Sequence, residues 1–111
     1  MTKSAFNHLL VLTTCPGSIT AKKIANELIT DRLAACVQVI SGVQSYFRWV
    51  GKVDNSEENL LLIKTTSDRY EELEKRIKAM HPYELPEIIA VPISAGFGEY
   101  LSWIDDCTRP S

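Results

Sequence analysis

Cysteine is scarce in this chain: Cys15, Cys36 and Cys107 are the only three thiols in 111 residues. So small and odd a number rules out a disulfide framework and agrees with a reducing compartment. Long apolar runs are missing too. The longest strongly apolar stretches, Leu9–Leu12 and Leu60–Ile63, fall far short of the ~20 residues of a membrane span. Nor is there an excess of one charge. Twelve basic against fourteen acidic residues leave a net charge of −2, no footprint for nucleic acid or anionic lipid. Met1-Thr2-Lys3-Ser4 lead into the first apolar block without a signal-type h-region and cleavage site. The expectation is a cytoplasmic protein that engages neither nucleic acid nor membrane.

What is present is ordinary for a folded domain: 45% apolar and 23% charged residues. The length fits one domain, 1–111, around a single core. Phe6 to Thr14 reads as a buried strand, broken by Pro16 and Gly17. Ser18 is the expected N-cap of a helix that buries Ala21, Ile24, Ala25, Leu28 and Ile29. A second strand, Ala34 to Ile40, is bent or bulged at Gly42 and resumes as Val43 to Val50. Asp54, Asn55 and Ser56 read as the turn before Glu58 to Thr66. The apolar block Leu60–Ile63 within that strand implies a central position.

A second helix, Asp68 to Met80, is expected to bury Tyr70, Leu73, Ile77 and Met80. Its outer face offers three i,i+4 pairs: Glu71 with Lys75, Glu72 with Arg76, and Glu74 with Lys78. His81 ends it, because Pro82 pushes the preceding residue out of the α region. A stiff loop to Pro86, a last strand from Glu87 to Ile93, and a short helix with Tyr100, Leu101, Trp103 and Ile104 complete the order. This β-α-β-β-α-β pattern predicts an α+β, ferredoxin-like sandwich with both helices on one face and the first and third strands in the middle. The long hairpin from Ala34 to Thr66 would leave Tyr46, Phe47 and Trp49 on an unpaired edge, which predicts a homo-oligomer.

Residues able to carry chemistry gather at His81-Pro82-Tyr83-Glu84-Leu85-Pro86-Glu87. Two prolines stiffen this run, so it reads as a ligand or metal pocket or as a plain helix-to-strand connector. Cys15 precedes a helix N-terminus and Cys36 opens a strand. With His81 they could form a soft-metal site for copper or zinc, or the thiols could pack as small hydrophobes. Cys107 has no neighbour arguing for a role, and His8 reads as structural. Lys64 closes the buried block and needs a partner, with Glu57, Glu58 and Glu84 in view, or it snorkels at the rim. Pro16-Gly17-Ser18 lacks the glycine and lysine pattern of a phosphate loop. No nucleophile comes with a base and an orienter, so the reading is of a binding protein and not an enzyme.

Five separated segments carry a resemblance. Leu33-Ala34-Ala35-Cys36-Val37, Ser45-Tyr46-Phe47-Arg48-Trp49-Val50-Gly51-Lys52, Leu62-Ile63-Lys64-Thr65-Thr66, His81-Pro82-Tyr83-Glu84-Leu85-Pro86-Glu87 and Tyr100-Leu101-Ser102-Trp103 resemble the CutA divalent-cation tolerance family, in order and over nearly the whole chain. The resemblance implies a homotrimer with intersubunit sheets, similar to the PII signalling proteins, and a part in response to copper and other divalent metals. It implies metal contacts at Cys15, Cys36 and His81. Some members add a cysteine and a histidine where Arg76 and Met80 stand here. It also implies that Tyr46, Trp49, Lys64, Tyr83, Glu84, Glu87 and Trp103 line clefts between subunits. The alternative is a PII-like trimer that binds a small anionic metabolite near Lys64 and the proline loop. An RNA-recognition domain would need aromatics where Leu60–Ile63 stand, and an acylphosphatase-like enzyme would need an arginine in Cys15–Ser18.

Overall fold

The chain runs β1 (His8–Cys15), α1 (Ser18–Thr30), β2 (Cys36–Trp49), β3 (Lys52–Thr66), α2 (Tyr70–Met80), β4 (Ile88–Pro92) and α3 (Gly98–Thr108). This computed structural model describes residues 7–110. Phe6, the expected start of the first strand, and Met1–Ser4 lie outside them. The strands form one antiparallel sheet in the order β2-β3-β1-β4, with β1 and β3 central as the pattern predicts. The architecture is the expected α+β, ferredoxin-like one.

Side chains alternate between the two faces of a strand, and burial follows that alternation. Val11, Leu61 and Ile63 point to the helix layer and join Ala21, Ile24 and Leu28 of α1 with Leu73 and Ile77 of α2 in the core, none above 1% exposed. Tyr70 and Met80 pack only partly against it, and Ile29, expected inside, is 41% exposed. The other face is apolar and half-open. Leu10 pairs with Val91, Leu12 with Leu62 and Ile89, and Ile40 with Leu60; Ile40, Ile89 and Val91 stay 43–52% exposed. The leucine block is therefore central; its helix-side face is covered by α1 and α2, and its other face only at the end where α3 meets β3 and β1.

The β2–β3 hairpin is longer than expected. Asp54, Asn55 and Ser56 pair with Phe47, Tyr46 and Ser45 inside the ladder, and the reversal falls on Val50 and Gly51 instead. Both have positive φ, 51° and 75°, the signature of a two-residue type I′ turn. Gly42 (φ 75°) sits where the register shifts between Ile40 and Val43, the expected bulge. The projecting ribbon raises the radius of gyration to 14.6 Å, against about 13 Å for a compact domain of this length.

Three local expectations change. Helix α1 is entered through Gly17 (φ 72°), with Ser18 as its first residue and no side-chain cap. Helix α2 begins at Tyr70, two residues later than Asp68. Of its three predicted ion pairs only Glu71–Lys75 is in contact, at 3.7 Å. Arg76 instead crosses to α1, where it meets Glu27 at 3.2 Å and also Asp31, while Glu74 accepts the Tyr70 hydroxyl at 2.8 Å. A crossing arginine that finds two carboxylates outcompetes the weak i,i+4 pair. His8 is structural, as expected: its Nε2 lies 2.9 Å from Asp105 Oδ1, joining β1 to α3.

Candidate functional site

The site starts from the way α2 ends. Pro82 forces His81 into extended backbone (φ −78°, ψ 135°), so the helix stops there while the His81 N–H still reaches the Ile77 carbonyl at 2.9 Å. The ring then clamps the loop. Its Nδ1 accepts the Tyr83 N–H at 3.1 Å, which leaves Nε2 as the protonated nitrogen that donates to the Thr14 carbonyl at 2.6 Å. The imidazole is 8% exposed and lies 4.8 Å, ring to ring, from Tyr83.

This clamp pins the proline loop beneath the end of β1 and turns Tyr83 toward β3. The Tyr83 hydroxyl donates to Glu58 Oε2 at 2.9 Å. Burial, and then the hydrogen bond to Glu58, hold the Tyr83 hydroxyl above the usual tyrosine range. Beside it Cys15 is fully buried, and its thiol is pushed up first by burial and then by the Glu58 charge. It stays protonated, an inert packing group.

Between the proline loop and the outer half of the hairpin lies a groove of about 670 Å³. Five residues expected in a cleft line it: Tyr46, Trp49, Tyr83, Glu84 and Glu87. Arg48, Asp54 and Glu58 line it as well, so four carboxylates face one guanidinium. A more open depression of about 910 Å³ runs along α1, but its carboxylates, Glu27 and Asp31, are already paired with Arg76. The groove is the stronger candidate.

The other two expected cleft residues are elsewhere. Lys64 is six residues from Glu58 along β3, roughly 20 Å at strand rise. Among the described residues it forms no ion pair with a carboxylate; its Nζ stands 5.4 Å from the centroid of the Tyr100 ring, a cation–π contact. Tyr100 in turn stacks on Trp103 with centroids 5.4 Å apart. Cys36 is directly across from Lys64 in the β2–β3 register, so it belongs to this second cluster.

That placement bears on the metal trio. Cys15 pairs with Asn59 on the helix side, while Cys36 pairs with Lys64 on the open side. The sheet therefore separates the two thiols, and both ring nitrogens of His81 are taken. Among the described residues no group of three or more His, Cys, Asp or Glu side chains is placed to hold a metal ion. Within one chain Cys15, Cys36 and His81 do not fit a common metal.

Two participants were not singled out from the sequence. Glu58 entered only as a possible partner for Lys64, yet it is a carboxylate 6% exposed at the base of the groove; its place just before the apolar block was the signal. Tyr100 carries no signal of its own in the sequence beyond its i,i+3 spacing from Trp103, which puts both rings on one helix face.

Comparison with known proteins places this arrangement. The family described as CutA1 divalent ion tolerance protein matches residues 9–107. The chain is similar to the divalent-cation tolerance protein CutA of Thermus thermophilus, 46% identical over 99 residues, which cover 89% of this chain and 96% of that protein. It is also similar to the chloroplastic protein CutA of Arabidopsis thaliana, 41% identical over 91% of this chain and 56% of the longer relative. Among solved structures, CutA from Xylella fastidiosa superposes with a TM-score of 0.91 at 42% identity, over 93% of this chain and 99% of that one.

Proposed function

This chain belongs to the CutA1 divalent ion tolerance protein family, and from that premise we propose that it acts as a cytoplasmic homotrimer in the response to divalent metal ions. Each copy offers a cation-binding groove between its hairpin and its proline loop. The observation that carries this reading is the charge of the groove: Asp54, Glu58, Glu84 and Glu87 against Arg48 alone. Such a lining repels an anion and concentrates cations. An anionic metabolite is disfavoured there, since within one chain Lys64 is not at the groove.

Assembly is supported by the half-open leucine face, the unpaired edges of β2 and β4, and the projecting ribbon. The number three comes from the family resemblance. The cytoplasmic assignment is supported by the free thiols Cys15, Cys36 and Cys107. Copper was the metal expected for Cys15, Cys36 and His81. With Cys15 buried and His81 occupied, a soft metal is left with Cys36, on the open face where another copy can add donors.

The experiment is calorimetric titration of the full chain with copper(II), zinc and magnesium, repeated on Cys36→Ser and on a Glu84→Gln/Glu87→Gln double variant. Saturable binding of at least one cation, weakened tenfold or more by the double variant, supports the groove. Binding untouched by the double variant, or no binding at all, contradicts it. Loss of copper binding in Cys36→Ser alone would move the metal site to the open face.

A further inference from the structure

The half-open leucine face, the strand edges and the projecting ribbon are the surfaces offered to identical copies; the solvent side of α1 is none of these. Along it Ile19, Lys22, Lys23, Asn26, Glu27 and Thr30 line the open depression of about 910 Å³. Their spacing, i, i+3, i+4, i+7, i+8 and i+11, makes one stripe of the helix, about 16 Å long at helical rise. Met80, at the end of α2, adds an apolar wall.

The two ends of the stripe differ in charge. Toward the end of α1, Glu27 and Asp31 are taken by Arg76. Toward its start, Lys22 and Lys23 are exposed, and among the described residues neither forms an ion pair. The first turn holds no acidic residue and no side chain caps it, so the positive end of the helix dipole adds to the two ammonium groups. In a chain of net charge −2 this is a local inversion of sign. Ile19 stands 73% exposed within it.

We propose that this face docks an acidic protein segment that carries one large apolar side chain. Carboxylates of the partner meet Lys22 and Lys23, and its apolar side chain covers Ile19 and Met80. Five extended residues span about 16 Å, the length of the stripe. Nucleic acid and anionic membranes fit less well. The net charge of the chain repels both at long range, and two lysines fall short of the clusters of about four to eight that hold a protein on a lipid surface. The docking face is separate from the cation groove, and metal binding there does not depend on it.

The test is a titration of the isotopically labelled full chain with the peptide Glu-Glu-Leu-Glu-Ser, followed by backbone amide shifts. Saturable shifts confined to α1 and the end of α2 are expected. Lys-Lys-Leu-Lys-Ser and Glu-Glu-Ser-Glu-Ser, which lack the charge and the apolar anchor respectively, should each bind at least severalfold more weakly. Lys22→Glu/Lys23→Glu should weaken the acidic peptide at least tenfold and bring on binding of the basic one. Ile19→Ser should weaken the acidic peptide severalfold. All three residues are exposed, so these variants keep the core intact. Glu71→Gln, at the far end of α2, should leave binding unchanged.

No saturable shift on α1, equal binding of the basic or the leucine-free peptide, or binding that survives the charge reversal overturns the proposal. Phosphatidylserine vesicles that bind the chain through Lys22 and Lys23, with no peptide binding, overturn it in favour of a lipid surface.

Discussion

Val50 is a β-branched residue held at φ 51°, and it is 85% exposed. The left-handed region costs a side chain with a Cβ about 1–2 kcal/mol. Val50 recovers none of that by burial in a single chain. Val50→Asn keeps the type I′ turn with a residue that tolerates the left-handed region, so it should stabilise each chain by about 1 kcal/mol. Val50→Gly relieves the same strain but gives back ~0.5–1 kcal/mol in unfolded-state entropy, and should be close to neutral. Gly51→Ala (φ 75°) meets no neighbour within 4 Å, so its cost is backbone alone, about 1–2 kcal/mol. Urea unfolding followed by circular dichroism reads all three. With a slope of about 2 kcal/mol per molar, Val50→Asn should raise the midpoint by ~0.5 M. An unchanged or lowered midpoint would refute the strain argument, and a lowered one would show that another copy buries the tip.

Thr13 Oγ1 is buried without a hydrogen-bond partner among the described residues, so Thr13→Val should raise stability by about 1 kcal/mol in the same assay. The Tyr70 hydroxyl is pushed up to about 12 by burial and by the hydrogen bond to Glu74. The folded chain thus keeps a proton that the unfolded chain loses near pH 10. Its contribution is whole below pH 10 and is lost as pH rises from about 10 to 12; Tyr70→Phe should flatten that part of the stability profile. Arg76→Met, which removes the α2–α1 bridge to Glu27 and Asp31, should cost about 0.5–1 kcal/mol in low salt. The difference from the parent should shrink in 1 M sodium chloride.

The elements most legible in the sequence are those whose apolar pattern decides them. The leucine block placed β3 in the centre, the alternation of Val11 with Leu61 and Ile63 agrees with the helix-facing core, and Gly42 marked the bulge. The hairpin turn was misread because Asp54-Asn55-Ser56 carry turn residues, whereas Val50-Gly51 pairs the needed glycine with a residue poorly suited to positive φ. Pairing along a long ribbon overrode local turn preference. The groove was half legible. The proline loop and the hairpin aromatics stood out as motifs, but Glu58 is made a site residue only by the fold that buries it under Tyr83. Lys64 fell outside the groove because six residues of β3 carry it roughly 20 Å beyond Glu58, and Cys36, directly across from it, goes with it. Cys15 and Cys36 fell apart because strand register sends neighbouring positions to opposite faces, and spacing in the chain does not show that.

The proposed assembly requires identical copies to cover the half-open face of Leu10, Leu12, Leu60 and Leu62. Sedimentation equilibrium of the full chain at micromolar concentration tests it most directly. Three 12.5 kDa chains in one stable particle is the predicted result; a well-folded single chain of that mass would contradict it.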